Sequence, residues 1–155
     1  MAETDARSLP TIRQSKPFRR GGPYFSFSHC KTGIAVAVAD EPVGIDIESI
    51  RRADEELMER VLNNDERLAV SGERDRDRAF TKLWTQKEAV VKMLGTGIES
   101  FEQLQNILSG SRDHETTRPR KIETIEKANY IYSIAYLSLG TDECAQGVLK
   151  LVKDN

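Results

Sequence analysis

Two carboxylates stand two residues apart in Val43-Gly44-Ile45-Asp46-Ile47-Glu48, where apolar and polar positions alternate strictly. In a β-strand that period sends Val43, Ile45 and Ile47 to one face and Gly44, Asp46 and Glu48 to the other, so both acids point the same way, away from the aliphatic core side. Like charges on one face repel unless water or a cation separates them. Taken alone, the pattern reads first as a solvated sheet face, although Gly44 beside the acids marks a close approach of a ligand or of another backbone. A second group lies downstream, where Thr81, Thr85, Glu88 and Lys92 are three or four residues apart and share one side of a helix, with Lys87 next to Glu88. By themselves these are a Glu–Lys pair at i, i+4 and a surface lysine. Together, Asp46, Glu48 and Glu88 with Lys87 and Lys92 compose what a hard divalent cation such as Mg2+ and a phosphate group require: carboxylates for the metal, ammonium groups for the remaining phosphate charge. That chemistry demands that the strand and the helix converge.

Other reactive side chains give weaker signals. His29 follows a strand and precedes a Gly-containing turn, where an imidazole donates to a phosphate or bonds backbone; His114 lies in a polar loop and points to nothing. Two distant histidines and two distant cysteines, Cys30 and Cys144, make no zinc site. The thiols read as reduced. There is no G-x-x-x-x-G-K-[ST], G-x-G-x-x-G or G-x-S-x-G, which removes the standard nucleotide-loop and serine-hydrolase readings. Basic pairs at Arg19-Arg20, Arg51-Arg52 and Arg118/Arg120-Lys121 fit a phosphate surface or plain solubility.

The elements that must position these groups follow from patterning. Residues 1–22 are polar, hold two of the five prolines and end in Lys16-Pro17-Phe18-Arg19-Arg20-Gly21-Gly22, an irregular arm. Strands are expected at 24–28, where aromatic and small residues alternate, and at 34–38, a β-branched run. The turn Asp40-Glu41-Pro42 then leads to the acidic strand at 43–48, two strands joined as an antiparallel hairpin. Helical spacing begins at Ala53 with Leu57, Val61 and Leu62, breaks at Asn63-Asn64 and resumes over 65–70. The strongest helix spans 77–94, with Phe80, Leu83, Trp84, Val90, Val91 and Leu94 as its apolar stripe and Gly95 as its stop. A shorter helix around Phe101, Leu104 and Leu108, a polar loop at 109–119, and strands at 121–125, 129–139 and 147–152 complete an α+β fold: an antiparallel sheet packed against a long helix. Residues 23–155 are read as a single domain.

A chain of 155 residues buries roughly 70% of the surface that it exposes when unfolded, so its core needs neither disulfide nor structural metal. With 23 Lys+Arg against 25 Asp+Glu, a net of -2, no global field draws in nucleic acid or anionic lipid. Any anion site is local. The longest apolar run, 34–39, falls far short of the about 20 residues that span a bilayer. The opening MAETDARSLP carries acids where an export signal has basic and then apolar residues, so the expected setting is the cytoplasm, with no membrane contact.

Read together, three blocks resemble the 4'-phosphopantetheinyl transferase superfamily. Phe25-Ser26-Phe27-Ser28-His29-Cys30 is similar to its F-N-x-S-H-S strand, Val43-Gly44-Ile45-Asp46-Ile47-Glu48 to its G-I-D-I-E signature, and Phe80-Thr81-Lys82-Leu83-Trp84-Thr85-Gln86-Lys87-Glu88-Ala89 to its F-x-x-x-W-x-x-K-E-A helix, continued by Lys92-Met93-Leu94-Gly95-Thr96-Gly97-Ile98. The resemblance implies Mg2+-dependent transfer of the 4'-phosphopantetheine arm of coenzyme A to a serine of an apo acyl, peptidyl or aryl carrier protein, releasing adenosine 3',5'-bisphosphate. On this sequence it implies Asp46, Glu48 and Glu88 as metal ligands, Lys92 at the leaving phosphate with Lys87 assisting, and Lys16, Ser28 and His29 at the 3'-phosphoadenosine end. Glu66, in an N-D-E-R stretch similar to the family's s-x-x-E helix start, or Glu88 itself would take the serine proton through water.

Two departures accompany the resemblance. The larger, surfactin-type members have two similar halves, and this chain matches the last strand of the first and all of the second. The small holo-acyl-carrier-protein synthases build sites between subunits, so the resemblance also implies a homo-oligomer, dimer or trimer. Cys30 stands where the family usually has Ser. A family member that binds carrier protein or coenzyme A without transfer is the alternative.

Overall fold

The computed structural model describes residues 16–17, 22–98, 100–109, 118–138 and 151–154, the first and last of these by their backbone. Seven strands and four helices follow in the order β1 (Lys16–Pro17), β2 (Tyr24–Cys30), β3 (Gly33–Ala39), β4 (Val43–Ser49), α1 (Glu55–Val61), α2 (Asn64–Gly72), α3 (Arg76–Leu94), α4 (Phe101–Asn106), β5 (Arg120–Glu126), β6 (Tyr130–Leu137) and β7 (Leu151–Asp154). The class is α+β, antiparallel throughout, with helices packed on sheet. Lys16–Pro17, within the stretch read as an irregular arm, pair with β2, Lys16 opposite Phe25.

The strands form two sheets, in the orders β1-β2-β3-β7 and β4-β6-β5. The hairpin expected between the second and third of the early strands is therefore corrected. It forms one turn earlier, between β2 and β3 across Lys31-Thr32, with Ser26 opposite Ala37 and Ser28 opposite Ala35. β4 leaves that sheet and pairs with β6, Asp46 opposite Ser133 and Ile45 opposite Ile134. The physical reason lies in the two aliphatic faces. Val43, Ile45 and Ile47 pack face to face on Ala35, Ala37 and Ala39 of β3, together with Tyr130, Ile134 and Tyr136 of β6, a contact that would be lost if β3 and β4 lay side by side in one sheet.

The small residues of β2 and β3 thus face inward, joined by Tyr24 at the start of β2, while Phe25 and Ile34 face outward. Ala35 and Ala37 are fully buried, while Phe25 and Ile34 are 36% and 48% exposed. Aromatic and small residues alternate as the sequence predicts, but the small set forms the core face, because two sheets approach closely only over short side chains.

The other face of β4 and β6 carries the helices. α3 begins at Asp75, whose side chain accepts from the Arg78 N–H, and ends at Gly95 in the left-handed conformation, φ 69°, that glycine adopts without strain. Its Phe80, Trp84, Val90 and Val91 join Met58 and Val61 of α1, Val70 of α2, Leu104 of α4 and Ala135 of β6 in the second core. α2 starts with a capping box, Asn63 Oδ1 accepting from the Glu66 N–H at 2.9 Å and Glu66 Oε2 from the Asn63 N–H at 3.0 Å.

Candidate active site

α3 can lie against β4 because Gly44 has no side chain. A Cβ there would stand 1.9 Å from the Ala89 carbonyl oxygen and 2.5 Å from the Met93 nitrogen. The close approach marked by this glycine is that of the helix backbone itself. It brings Glu88 and Lys92, one turn apart on α3, over the face of β4 that carries Asp46 and Glu48. The expectation that the two acids face away from the core is corrected accordingly: β4 is covered on both sides, and Asp46 is 4% exposed.

Asp46 is the hub. Its Oδ1 accepts from the Lys92 ammonium at 2.7 Å and from the Ser28 hydroxyl at 2.8 Å. Lys92 also donates to the Ile45 carbonyl at 3.1 Å, and the Ile45 N–H donates to Ser26 Oγ at 3.0 Å. The polar groups of Ile45 on the free edge of β4 are thus satisfied by one lysine and one serine. Asp46 Oδ2 and Glu88 Oε1 are buried with no hydrogen-bond partner.

The electrostatics report the same crowding. Burial first, then the Asp46 charge, pushes the Glu88 carboxyl up to about 8; Glu48 adds to the rise, while Lys92 and Arg51 oppose it. Burial and Asp46 also raise Glu48, against the pull of Arg51 and Lys92. The buried Trp84 indole N–H weakly opposes that rise without making a hydrogen bond of regular geometry. A like-charged carboxylate group with two orphaned oxygens suits a hard divalent cation, which takes oxygen ligands and relieves the repulsion. Among the described residues no three acidic, histidine or cysteine side chains already converge in coordinating geometry. By chemistry the donor set fits a hard, oxygen-seeking cation such as Mg2+.

The remaining residues singled out by sequence are distributed differently. Lys87, on the neighbouring side of α3, has 0% exposure and directs its ammonium to the Leu104 and Gln105 carbonyls, each at 2.9 Å, and to Glu66 Oε2 at 2.9 Å. All three of its hydrogens have acceptors, and burial pushes it below the usual lysine range, with Glu66 opposing. Glu66 and Lys87 therefore form a second polar cluster that ties α2 and α4 to α3. Ser28 is buried with its hydrogen committed to Asp46, and His29, the next residue on β2, is exposed. The side chain of Lys16, and all of His114 and Cys144, lie outside the described residues. Cys30 is a free thiol, 3.1 Å from Thr32 Oγ1.

Sequence reading named Ser26, Thr81 and Arg51 without the contacts that give them a place in the site. Ser26 holds the β4 edge, and its place two residues before Ser28 on an alternating strand was the available signal. Thr81 Oγ1 accepts from the Arg51 N–H at 3.0 Å, and the Arg51 guanidinium lies 5.0 Å from the centroid of the Trp84 ring. These contacts join residues 30 and 33 positions apart, and no local spacing announces them.

Comparison with known proteins agrees with the geometry. A family model described as the 4'-phosphopantetheinyl transferase superfamily matches residues 42–145. The chain is 39% identical over 98 residues to the 4'-phosphopantetheinyl transferase psf-1 of Bacillus pumilus, covering 62% of this chain and 40% of that protein. It is 32% identical over 85 residues to 4'-phosphopantetheinyl transferase gsp of Aneurinibacillus migulanus, covering 54% and 36%. It is 40% identical over 89 residues to 4'-phosphopantetheinyl transferase AcpT of Salmonella typhimurium, covering 53% and 46%. The matched region spans less than half the length of each of these curated relatives. No helix among the described residues is long and apolar enough to cross a membrane.

Proposed function

The chain belongs to the 4'-phosphopantetheinyl transferase superfamily, and on that premise we propose that it moves the 4'-phosphopantetheine arm of coenzyme A onto a serine of an apo acyl or peptidyl carrier protein. The observation that carries this reading is the seating of Glu88 and Lys92 of α3 over the face of β4 that bears Asp46 and Glu48, with the Lys92 ammonium 2.7 Å from Asp46 and the Asp46 charge acting on Glu88.

In this reaction the serine oxygen forms a bond to the β-phosphorus of coenzyme A, the bond from that phosphorus to the bridging oxygen breaks, and adenosine 3',5'-bisphosphate leaves with the electron pair. Such a transfer asks for positioning and charge neutralisation more than for covalent help. Asp46, Glu48 and Glu88 would hold Mg2+, which supplies charge for the diphosphate when bound. Lys92, already anchored by Asp46 and Ile45, neutralises the leaving phosphate. Glu88 receives the serine proton through water; Glu66 is engaged by Lys87 and Asn63. His29, exposed at the end of β2, and Lys16 meet the 3'-phosphoadenosine end. Ser28 acts through Asp46, and Lys87 through the helices that it joins. Residues 23–155 serve as one transferase-like unit, and self-association as a dimer or trimer belongs to the same proposal.

The test mixes purified protein with coenzyme A, Mg2+ and several apo carrier proteins and reads the intact carrier mass. A phosphopantetheine gain that is lost in Glu88→Ala is expected. Coenzyme A binding with no gain on any carrier would instead identify a family member that binds without transfer.

A further inference from the structure

Arg51 follows the acidic strand directly and is held at two points. Its backbone N–H donates to the buried Thr81 hydroxyl at 3.0 Å, and that hydroxyl spends its own hydrogen on the Asp77 carbonyl at 2.7 Å. Its guanidinium lies over the ring of the buried Trp84, 5.0 Å from the centroid. An arginine stacked on an aromatic face keeps the edge of its planar fork available and has few rotamers left to lose on binding.

The neighbourhood makes that free edge unusual. Arg51 is close enough to Glu48 and Glu88 for its charge to act on both. Yet its guanidinium makes no hydrogen bond or ion pair among the described residues, a state it shares with Arg52, Arg67 and Arg74 and not with Arg60, Arg76, Arg78 and Arg118, which each have a carboxylate partner. The other cation of the site, Lys92, is seated on Asp46 and the Ile45 carbonyl. Of the two cations that act on these acids, one is therefore engaged by protein oxygens and the other has its donors uncommitted.

We propose that Arg51 binds the transferred phosphoryl group of coenzyme A, taking one or two of its oxygens on the fork that Trp84 holds in place, while Lys92 meets the leaving phosphate. The inference rests on the transferase reading above and assigns to it a second phosphate-binding cation. A guanidinium suits the role because its paired N–H groups match the oxygens of a phosphate, while an ammonium offers a point charge.

Calorimetry on the full 155-residue chain with Mg2+ and no carrier protein tests this, using coenzyme A and adenosine 3',5'-bisphosphate, which lacks the transferred group. Arg51→Gln should weaken coenzyme A binding roughly tenfold or more, the scale of one charge-assisted hydrogen bond. Arg51→Lys should recover only part of the loss. Binding of adenosine 3',5'-bisphosphate should stay within about twofold in both variants, and Arg52→Gln, an exposed neighbour, should match wild type. Unchanged coenzyme A affinity with a raised KM for carrier protein would overturn the proposal and move the contact to the protein substrate. Equal weakening of both ligands with a lowered Tm would overturn it in favour of a packing role. A wild-type chain that binds no coenzyme A would overturn both this inference and the transferase reading, whereas wild-type binding with an unaffected Arg51→Gln overturns this one alone.

Discussion

The Lys92 ammonium sits 2.7 Å from Asp46 Oδ1, a buried ion pair that joins the middle of the acidic strand to the last turn of the longest helix. Taking away one member of such a pair strands the other charge out of water, at a cost of about 3 to 5 kcal/mol, while replacing both by neutral groups of similar shape is often tolerated. Lys92→Met should therefore lower stability by about 3 kcal/mol or more and slow transfer roughly 100-fold or more, as for the loss of one preorganised charge-stabilising donor. The double variant Lys92→Met, Asp46→Asn should regain much of the stability and none of the activity. Urea unfolding beside carrier-mass kinetics checks both. A double variant as unstable as the single one would show that the stranded charge is not the source of the loss.

Glu88 makes stability depend on pH. Its carboxyl moves from an ordinary value of 4.5 to about 8 in the fold. Between those values the folded protein keeps a proton that the unfolded chain has released, so stability falls as pH rises through the window and levels off above about 8. A divalent cation favours the ionised form, so Mg2+ should flatten the slope and, at neutral pH, release a proton on binding. The measurement is Tm against pH with and without Mg2+, for wild type and Glu88→Gln. The variant should lack the wild-type decline; an identical slope in both would remove Glu88 as its cause.

Much of the frame was legible in local pattern. Strict alternation at 43–48 and the 3.6-residue stripe of 77–94 each encode one element and its buried face, and Gly95 marks the helix stop, while the cap at Asp75 became visible only in the fold. Asp46, Glu48, Glu88 and Lys92 were legible for the same reason, since each lies at a fixed offset within a regular element. What stayed hidden was between elements. Nothing in the turn Asp40-Glu41-Pro42 says that β4 changes sheet, because that choice is made by aliphatic faces whose partner, β6, lies almost ninety residues downstream. Lys87 misled for a related reason: its neighbour Glu88 points at β4, but one residue of helix rotates a side chain by about 100°, and that turn carried Lys87 to Glu66 and α4.

That rotation puts the two lysines in different polar clusters, and the proposal gives them different roles. Lys87→Met removes three internal hydrogen bonds and leaves Glu66 and two carbonyls without their cation, so a stability loss of about 3 kcal/mol or more is expected. The kcat of the molecules that remain folded should fall only a few-fold, unlike that of Lys92→Met. Activity normalised to folded protein, measured well below each variant's Tm, decides it. A large kcat loss at unchanged stability would place Lys87 at the substrate instead.

Gly44 ties packing to chemistry most directly. An alanine Cβ there would penetrate the α3 backbone at Ala89 and Met93, and a backbone cannot rotate aside as a side chain can, so the helix must move off the strand. Overpacking of this kind costs typically about 1 to 3 kcal/mol, and here the displaced helix is the one that carries Glu88 and Lys92. Gly44→Ala should therefore lower Tm and weaken Mg2+ binding together, although residue 44 has no side chain to touch a metal. Gly72, in the last turn of α2, has open space around its missing Cβ, so Gly72→Ala should be neutral or stabilise by up to about 1 kcal/mol with Mg2+ affinity unchanged. Thermal melts and Mg2+ titrations of both variants test the coupling. A Gly44→Ala protein that melts early yet binds Mg2+ as wild type does would mean that the cation site tolerates displacement of α3, and would detach the metal from the helix that is proposed to hold it.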